Sequence, residues 1–169
     1  MAFITQDDII ISFAEADDVL SRDQRLFDSN EGLSDEIVEE ALIRGTERLM
    51  NKFRSTDWWR NYYIERGISG SIRTAADIPA LDINRIKDRY NDFTDLCVYF
   101  TLGEYILPQV ATFTEDDSER AKMSYYASKA NELFEELVRV GDWYDFDQDG
   151  IVESEEKQPG NYDSLKRVR

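Results

Sequence analysis

The chain has 169 residues, with 36 acids against 20 bases, a formal charge of −16 and no histidine. Without histidine there is no Ser–His or Cys–His catalysis and no His-ligated metal, and the acid excess speaks against nonspecific binding to duplex DNA, which needs clustered Lys and Arg. At 41% hydrophobic and 33% charged, the composition is that of a globular chain able to bury a core.

No apolar run approaches the ~18 residues that span a bilayer, and Met1–Ile11 lacks the basic start of a signal peptide. The expectation is a cytosolic protein with no membrane partner. Cys97 is the sole cysteine and sits on an apolar stripe, where it reads as a small core residue.

In chain order, Thr5-Gln-Asp-Asp8 reads as a helix start, with Thr5 capping and Asp7 and Asp8 in the first turn of a short helix through Ile9, Ile10 and Phe13. Glu15–Gly32 is rich in acids and reads as an exposed loop with room for one helical turn. Ser34 caps the next helix, whose stripe is Val38, Leu42, Gly45, Leu49 and Phe53, with Ile37 and Ala41 beside it. Glu40 and Arg44 form an i,i+4 pair on its wet side. Gly45 here and Gly103 further on both fall on apolar faces, where a missing side chain lets two helices cross closely.

Thr56–Arg66, TDWWRNYYIER, is a short aromatic helix. Trp58, Trp59, Tyr62 and Tyr63 cannot all face one core. Part of the cluster is expected at a partner-binding surface or, alternatively, in a second small core under the following loop. Gly67–Ala80 reads as that loop, and its ISGSIRTA has the composition of a strand or hairpin arm. It contains no phosphate-binding G-x-x-x-x-G-K motif.

The spacing predicts a core helix over Asp82–Leu107. Ile86, Tyr90, Phe93, Cys97 and Phe100 form its stripe, widened by Leu96, Leu102 and Ile106. Asp82 is its expected cap, and Pro108 its expected end. Thr114 is expected to start the last long helix, with Met123, Ala127, Ala130, Phe134 and Leu137 on one face and Gly141 as its C-terminal stop.

Asp145–Glu156, DFDQDGIVESEE, is the sharpest chemical motif. Asp145, Asp147, Asp149, Gly150, Val152 and Glu156 occupy places 1, 3, 5, 6, 8 and 12 of an EF-hand calcium loop. The expected ligands are Asp145, Asp147, Asp149, the carbonyl of Ile151, Glu153 and Glu156, with a structural Ca2+ as the ion. Glu136, Leu137, Val140 and Tyr144 fit the helix that would lead into such a loop, although Gly141 replaces one apolar position. Lys157-Gln-Pro-Gly160 permits no long exiting helix, so this is half an EF-hand and not a groove-opening switch. The tail Asn161–Arg169 alternates apolar Tyr162, Leu165 and Val168 with basic Lys166, Arg167 and Arg169, and is expected to bind a partner.

The fold class is therefore all-α: a small bundle of three long helices plus short ones, with an extended loop or hairpin arm and a C-terminal tail. The expected divisions are residues 1–144 as the helical domain, 145–156 as the loop and 157–169 as the tail.

The order of parts resembles a family. The short TQDDII segment, LSDEIVEEALIRGTERLMNKF, DFTDLCVYFTLGEYIL and SERAKMSYYASKANELFEELV together are similar to the head–tail adaptor (connector) proteins of tailed bacteriophages, over roughly residues 5–140. The resemblance implies a structural, non-enzymatic virion protein of the neck, made in the host cytoplasm and assembled as a homo-oligomeric, dodecameric ring. Its implied partners are the portal protein above and the stopper or tail-completion protein below, with the C-terminal segment reaching the portal. DNA would pass through the ring without specific binding, since an acidic channel wall repels it. Two other readings fit the residues: a calcium-binding regulatory module, and an acidic DNA mimic that inhibits a nucleic-acid enzyme.

Overall fold

The structure, a computed structural model, describes residues 4–7, 9–24, 33–65, 74–110, 118–154 and 156–157. Expectations for the rest of the Glu15–Gly32 loop, the possible arm within 66–73, the helix start at Thr114 and the tail lie outside the described residues. The elements are β1 (Thr5–Gln6), β2 (Ile9–Ile10), α1 (Ala16–Arg22), α2 (Asp35–Arg54), α3 (Asp57–Glu65), α4 (Tyr90–Thr101), a π-helical turn (Leu102–Ile106), α5 (Leu107–Val110) and α6 (Ser118–Val140). The all-α bundle expected from the periodicity is the fold observed: α4 and its π turn run between α2 and α6, α1 lies on α2 and α4, and α3 folds back from α2.

Helix α2 forms where its cap and stripe place it. The Ser34 side chain accepts from the Ile37 N–H at 3.4 Å, and Val38, Leu42, Leu49 and Phe53 are fully buried. Arg44 and Glu40 pair at 2.7 Å on the wet face. Both close crossings occur. A Cβ at Gly45 would collide with Thr101 Oγ1, and one at Gly103 would lie 3.2 Å from the Ala127 backbone nitrogen. Cys97 is fully buried among Thr46 Oγ1 at 3.3 Å and the Leu42 carbonyl at 3.7 Å, and burial pushes its thiol up to about 11. It is an inert core residue.

The N-terminal segment differs from expectation. Thr5–Gln6 and Ile9–Ile10 form a two-stranded antiparallel pair, with Thr5 opposite Ile10 and Gln6 opposite Ile9. Consecutive β-branched Ile9, Ile10 and Ile11 favour extended backbone, and Asp7 takes the left-handed turn conformation at φ 52. The helix comes later, as α1, inside the stretch expected to be loop. Asp18 there accepts from the Glu15 N–H at 2.9 Å, and Ala16 and Val19 are buried. Lys122 ties this end to α6, 2.7 Å from the buried carboxylate of Asp23.

The core helix is also bounded differently. Asp82 caps only a 3-10 turn, Ile83–Arg85, accepting from the Asn84 N–H at 3.0 Å. The chain then extends, and α4 begins at Tyr90 after Arg89 adopts a left-handed conformation at φ 59. Pairing with residues 143–145 takes the backbone groups that a helix would have used, so a long-range contact overrides the local period. Pro108 does not end the helix either. The π turn closes with the Leu107 N–H donating to the Leu102 carbonyl, and α5 continues through Pro108 to Val110. Proline crowds the carbonyl four residues back, and a wider turn before it relieves that clash.

Arg89 joins the start of α4 to the end of α6. Its Nε donates to Asp142 Oδ1 at 2.6 Å and its Nη2 to Oδ2 at 3.1 Å. This hydrogen bonding holds the Asp142 carboxyl below its ordinary value of 3.8. A depressed carboxylate stabilises the fold above its unfolded pKa, and that contribution is lost as pH falls through the folded one. Asp142→Asn should therefore cost about 1–2 kcal/mol at neutral pH. The gap to wild type in urea titrations should shrink as pH falls below 3.8. A gap independent of pH would show that the ion pair is not its source.

Candidate metal centre

Gly141 stops α6 as expected, at φ 52 with its N–H on the Leu137 carbonyl at 3.0 Å. The chain then runs across the bundle. Trp143 is fully buried and donates its Nε1–H to the Leu137 carbonyl at 2.9 Å. Tyr144 pairs antiparallel with Ile86. Around that bridge the Lys87 N–H reaches the Trp143 carbonyl at 2.9 Å and the Asp145 N–H reaches the Arg85 carbonyl at 3.0 Å. The Tyr144 hydroxyl accepts from the Asp82 N–H at 3.1 Å.

The expected helix leading into the loop is absent as such. Residues 141–144 separate α6 from Asp145 and are not helical. Gly141, the Arg89–Asp142 pair and the Ile86–Tyr144 bridge all divert the chain before the loop begins.

The aromatic helix α3 lies beneath this segment. Trp58, Trp59, Tyr62 and Tyr63 are each at most 9% exposed, so the expectation that part of the cluster faces outward is corrected. Phe146 is the reason. It stacks on Tyr62 at 3.6 Å between ring centroids, with Trp59 at 5.1 Å, Trp58 at 5.7 Å and Tyr63 at 5.9 Å. Burial raises the Tyr63 hydroxyl well above its ordinary range, as it does that of Tyr144. The four rings are continuous with the main core and are covered by residues 143–146. The cue in the sequence was Trp143-Tyr144-x-Phe146, as dense in aromatics as α3 itself.

On this floor stands the acidic loop. Carboxylate oxygens of Asp145, Asp147 and Asp149 lie within 4.8 Å of one another. Asp145 is buried and accepts from the Gln148 N–H at 2.7 Å and the Gly150 N–H at 2.9 Å. Asp147 accepts from the Asp149 N–H at 3.1 Å, and Asp149 from the Ile151 N–H at 2.9 Å. Gln148 at φ 70 and Gly150 at φ 96 turn the chain between them. Asp147 and Asp149 are exposed.

The remaining expected ligands stand apart. Among the described residues the converging group is the three aspartates. Glu156, 3% exposed, turns its oxygens to the backbone: Oε1 accepts from the Phe146 and Asp147 N–H groups at 2.6 and 3.0 Å, and Oε2 from the Glu153 N–H at 3.0 Å. Here Glu156 clamps the loop closed, bridging its two ends. The Glu153 side chain is exposed. Ile151 presents an exposed side chain. The spacing gave no hint of Lys87, whose Nζ lies 3.7 Å from Asp145 Oδ2 and partly offsets the carboxylate charge.

Three carboxylates at such range repel one another, and hard oxygen donors suit a hard divalent cation. The partner-binding residues expected in the tail, Tyr162, Leu165, Lys166, Arg167 and Arg169, lie outside the described residues. Comparison with known protein families, with curated proteins and with solved structures finds no match.

Proposed function

We propose that the chain is a structural subunit of a head–tail adaptor ring, joining a phage portal to the stopper or tail and extending the DNA channel. The observation that carries the reading is the packing of its helices. The segments on which the resemblance rests, α2, α4 with its π turn, and α6, fold as one bundle with α4 between the other two. The outer faces of α2 and α6 present Asp35, Glu36, Glu40, Glu47, Glu132, Glu135 and Glu136 to solvent, and an acidic wall lets DNA slide without adhering. The test is electron microscopy of the purified chain mixed with portal and neck proteins of its phage. A closed ring on the portal is the expected result. A chain that stays monomeric with every component rules the reading out, and a tight complex with a nuclease or polymerase would favour the acidic mimic instead. Deleting residues 161–169 should weaken portal binding, more at low salt than at high salt.

A second reading concerns the loop and is favoured by the convergence of Asp145, Asp147 and Asp149. Here the loop takes one structural Ca2+, which relieves carboxylate repulsion and fastens residues 145–156 onto α3. At a calcium concentration a hundredfold above the dissociation constant, linkage adds about 2.7 kcal/mol, or about 5–10 °C in Tm. Asp149→Asn should abolish this rise while leaving the calcium-free Tm nearly unchanged, because Asp149 is exposed and Asn still accepts from the Ile151 N–H. No heat in calorimetry and no Tm change at millimolar calcium would end the second reading.

A further inference from the structure

The acid excess makes one groove unusual. Lys87, Lys122, Lys129, Arg22, Arg44, Arg85 and Arg89 each have a carboxylate within ion-pair distance. Arg48 and Lys52 are among the described basic residues that have none, and these two sit one turn apart on α2 and open into the same cavity of about 490 Å³. Asn51 and Asn131 add amides to its lining, Phe100 an apolar wall and Glu104, on the π turn, its one acid.

Lys52 is held in place by two contacts. Its Nζ donates to Asn131 Oδ1 at 3.0 Å and lies 4.1 Å from the centroid of the Phe134 ring. Burial is the largest influence on its ammonium and lowers its pKa, outweighing the more distant charges of Glu135 and Glu104. Its charge is thus under-compensated, and part of the cost of ordering a long side chain is already met by the fold. The volume suits a short stretch of peptide rather than a lone ion.

We infer that this groove binds a carboxylate-bearing peptide segment of a partner protein, with Arg48 and Lys52 holding the carboxylate and Phe100 the adjoining apolar group. The site is separate from the acidic loop and does not depend on the ring reading. Glu104 opposes a second acid, so the preferred segment carries one carboxylate beside neutral or basic neighbours.

The probe is the capped tetrapeptide acetyl-Gly-Glu-Leu-Gly-amide, titrated into the 15N-labelled full chain, with its Gln counterpart as control. Binding of the Glu peptide is expected with a dissociation constant on the order of 1 mM, with amide shifts gathered around residues 48–55, 100–104 and 131. The Gln peptide should produce much smaller shifts. Arg48→Gln, at an exposed position, should weaken binding about tenfold without altering the melt, since a charge-assisted bond is lost. Glu104→Gln should strengthen it severalfold. Equal shifts from both peptides, shifts scattered over the surface, an unaffected Arg48→Gln or no binding at 10-fold excess over that constant would each overturn the inference.

Discussion

Trp143→Ala should produce a large loss of stability, about 4 kcal/mol, and lower Tm by about 10 °C. Trp143 is fully buried where the α3 aromatics meet the rest of the core. Its ring centroid lies 4.7 Å from Phe93, 4.9 Å from Trp58, 5.2 Å from Phe53 and 5.9 Å from Tyr144. Truncation leaves a cavity between α2, α3 and α4 and removes the donor to the Leu137 carbonyl. None of the surrounding rings can collapse into the space without breaking its own contacts. Urea titration and thermal melts read the effect, with Tyr125→Ala as the control. Tyr125 is 56% exposed, and its loss should cost under about 1 kcal/mol. If Trp143→Ala cost no more than that control, residues 143–146 would not belong to the core.

Glu156→Gln should cost about 2–3 kcal/mol and open the loop. The carboxylate accepts three backbone N–H groups from opposite ends of residues 146–153, and it does so almost wholly buried. An amide supplies one accepting oxygen, and its NH2 group must face donors that it cannot satisfy. Either the Glu153 end or the Phe146 end is then released. Amide hydrogen exchange at Phe146, Asp147 and Glu153 should accelerate while the amides of α4 remain protected. Unchanged protection at those three positions would mean that the loop is closed by its backbone turns alone. In the presence of calcium the same variant tests whether Glu156 clamps the loop or also holds the ion: a calcium-induced Tm rise preserved in Glu156→Gln assigns it to the clamp.

Much of the bundle is local physics and was legible residue by residue. Ser34 caps, and a regular stripe from Val38 to Phe53 buries one face. Gly45 and Gly103 mark close helix approaches that a side chain would crowd, and Gly141 ends α6. The Asp-x-Asp-x-Asp-Gly spacing brings three carboxylates together because alternate residues around a sharp turn share one side. Other features depend on contacts that residue spacing does not encode. The stretch 82–89 has helical periodicity but extends, because residues 143–145 compete for its backbone groups. The aromatic face of α3 looked too large for one core until Trp143, Tyr144 and Phe146 arrived to cover it. Glu156 sits at a ligand position by spacing, yet its oxygens are taken by N–H groups on the other side of the loop. Helical and loop spacings are properties of neighbouring residues, so the sequence by itself determined the long helices and the acidic turn. Which faces are covered, and how residues 82–89 run, was decided only when segments more than fifty residues apart met across the bundle, whereas the Glu156 carboxylate is occupied by N–H groups of its own loop.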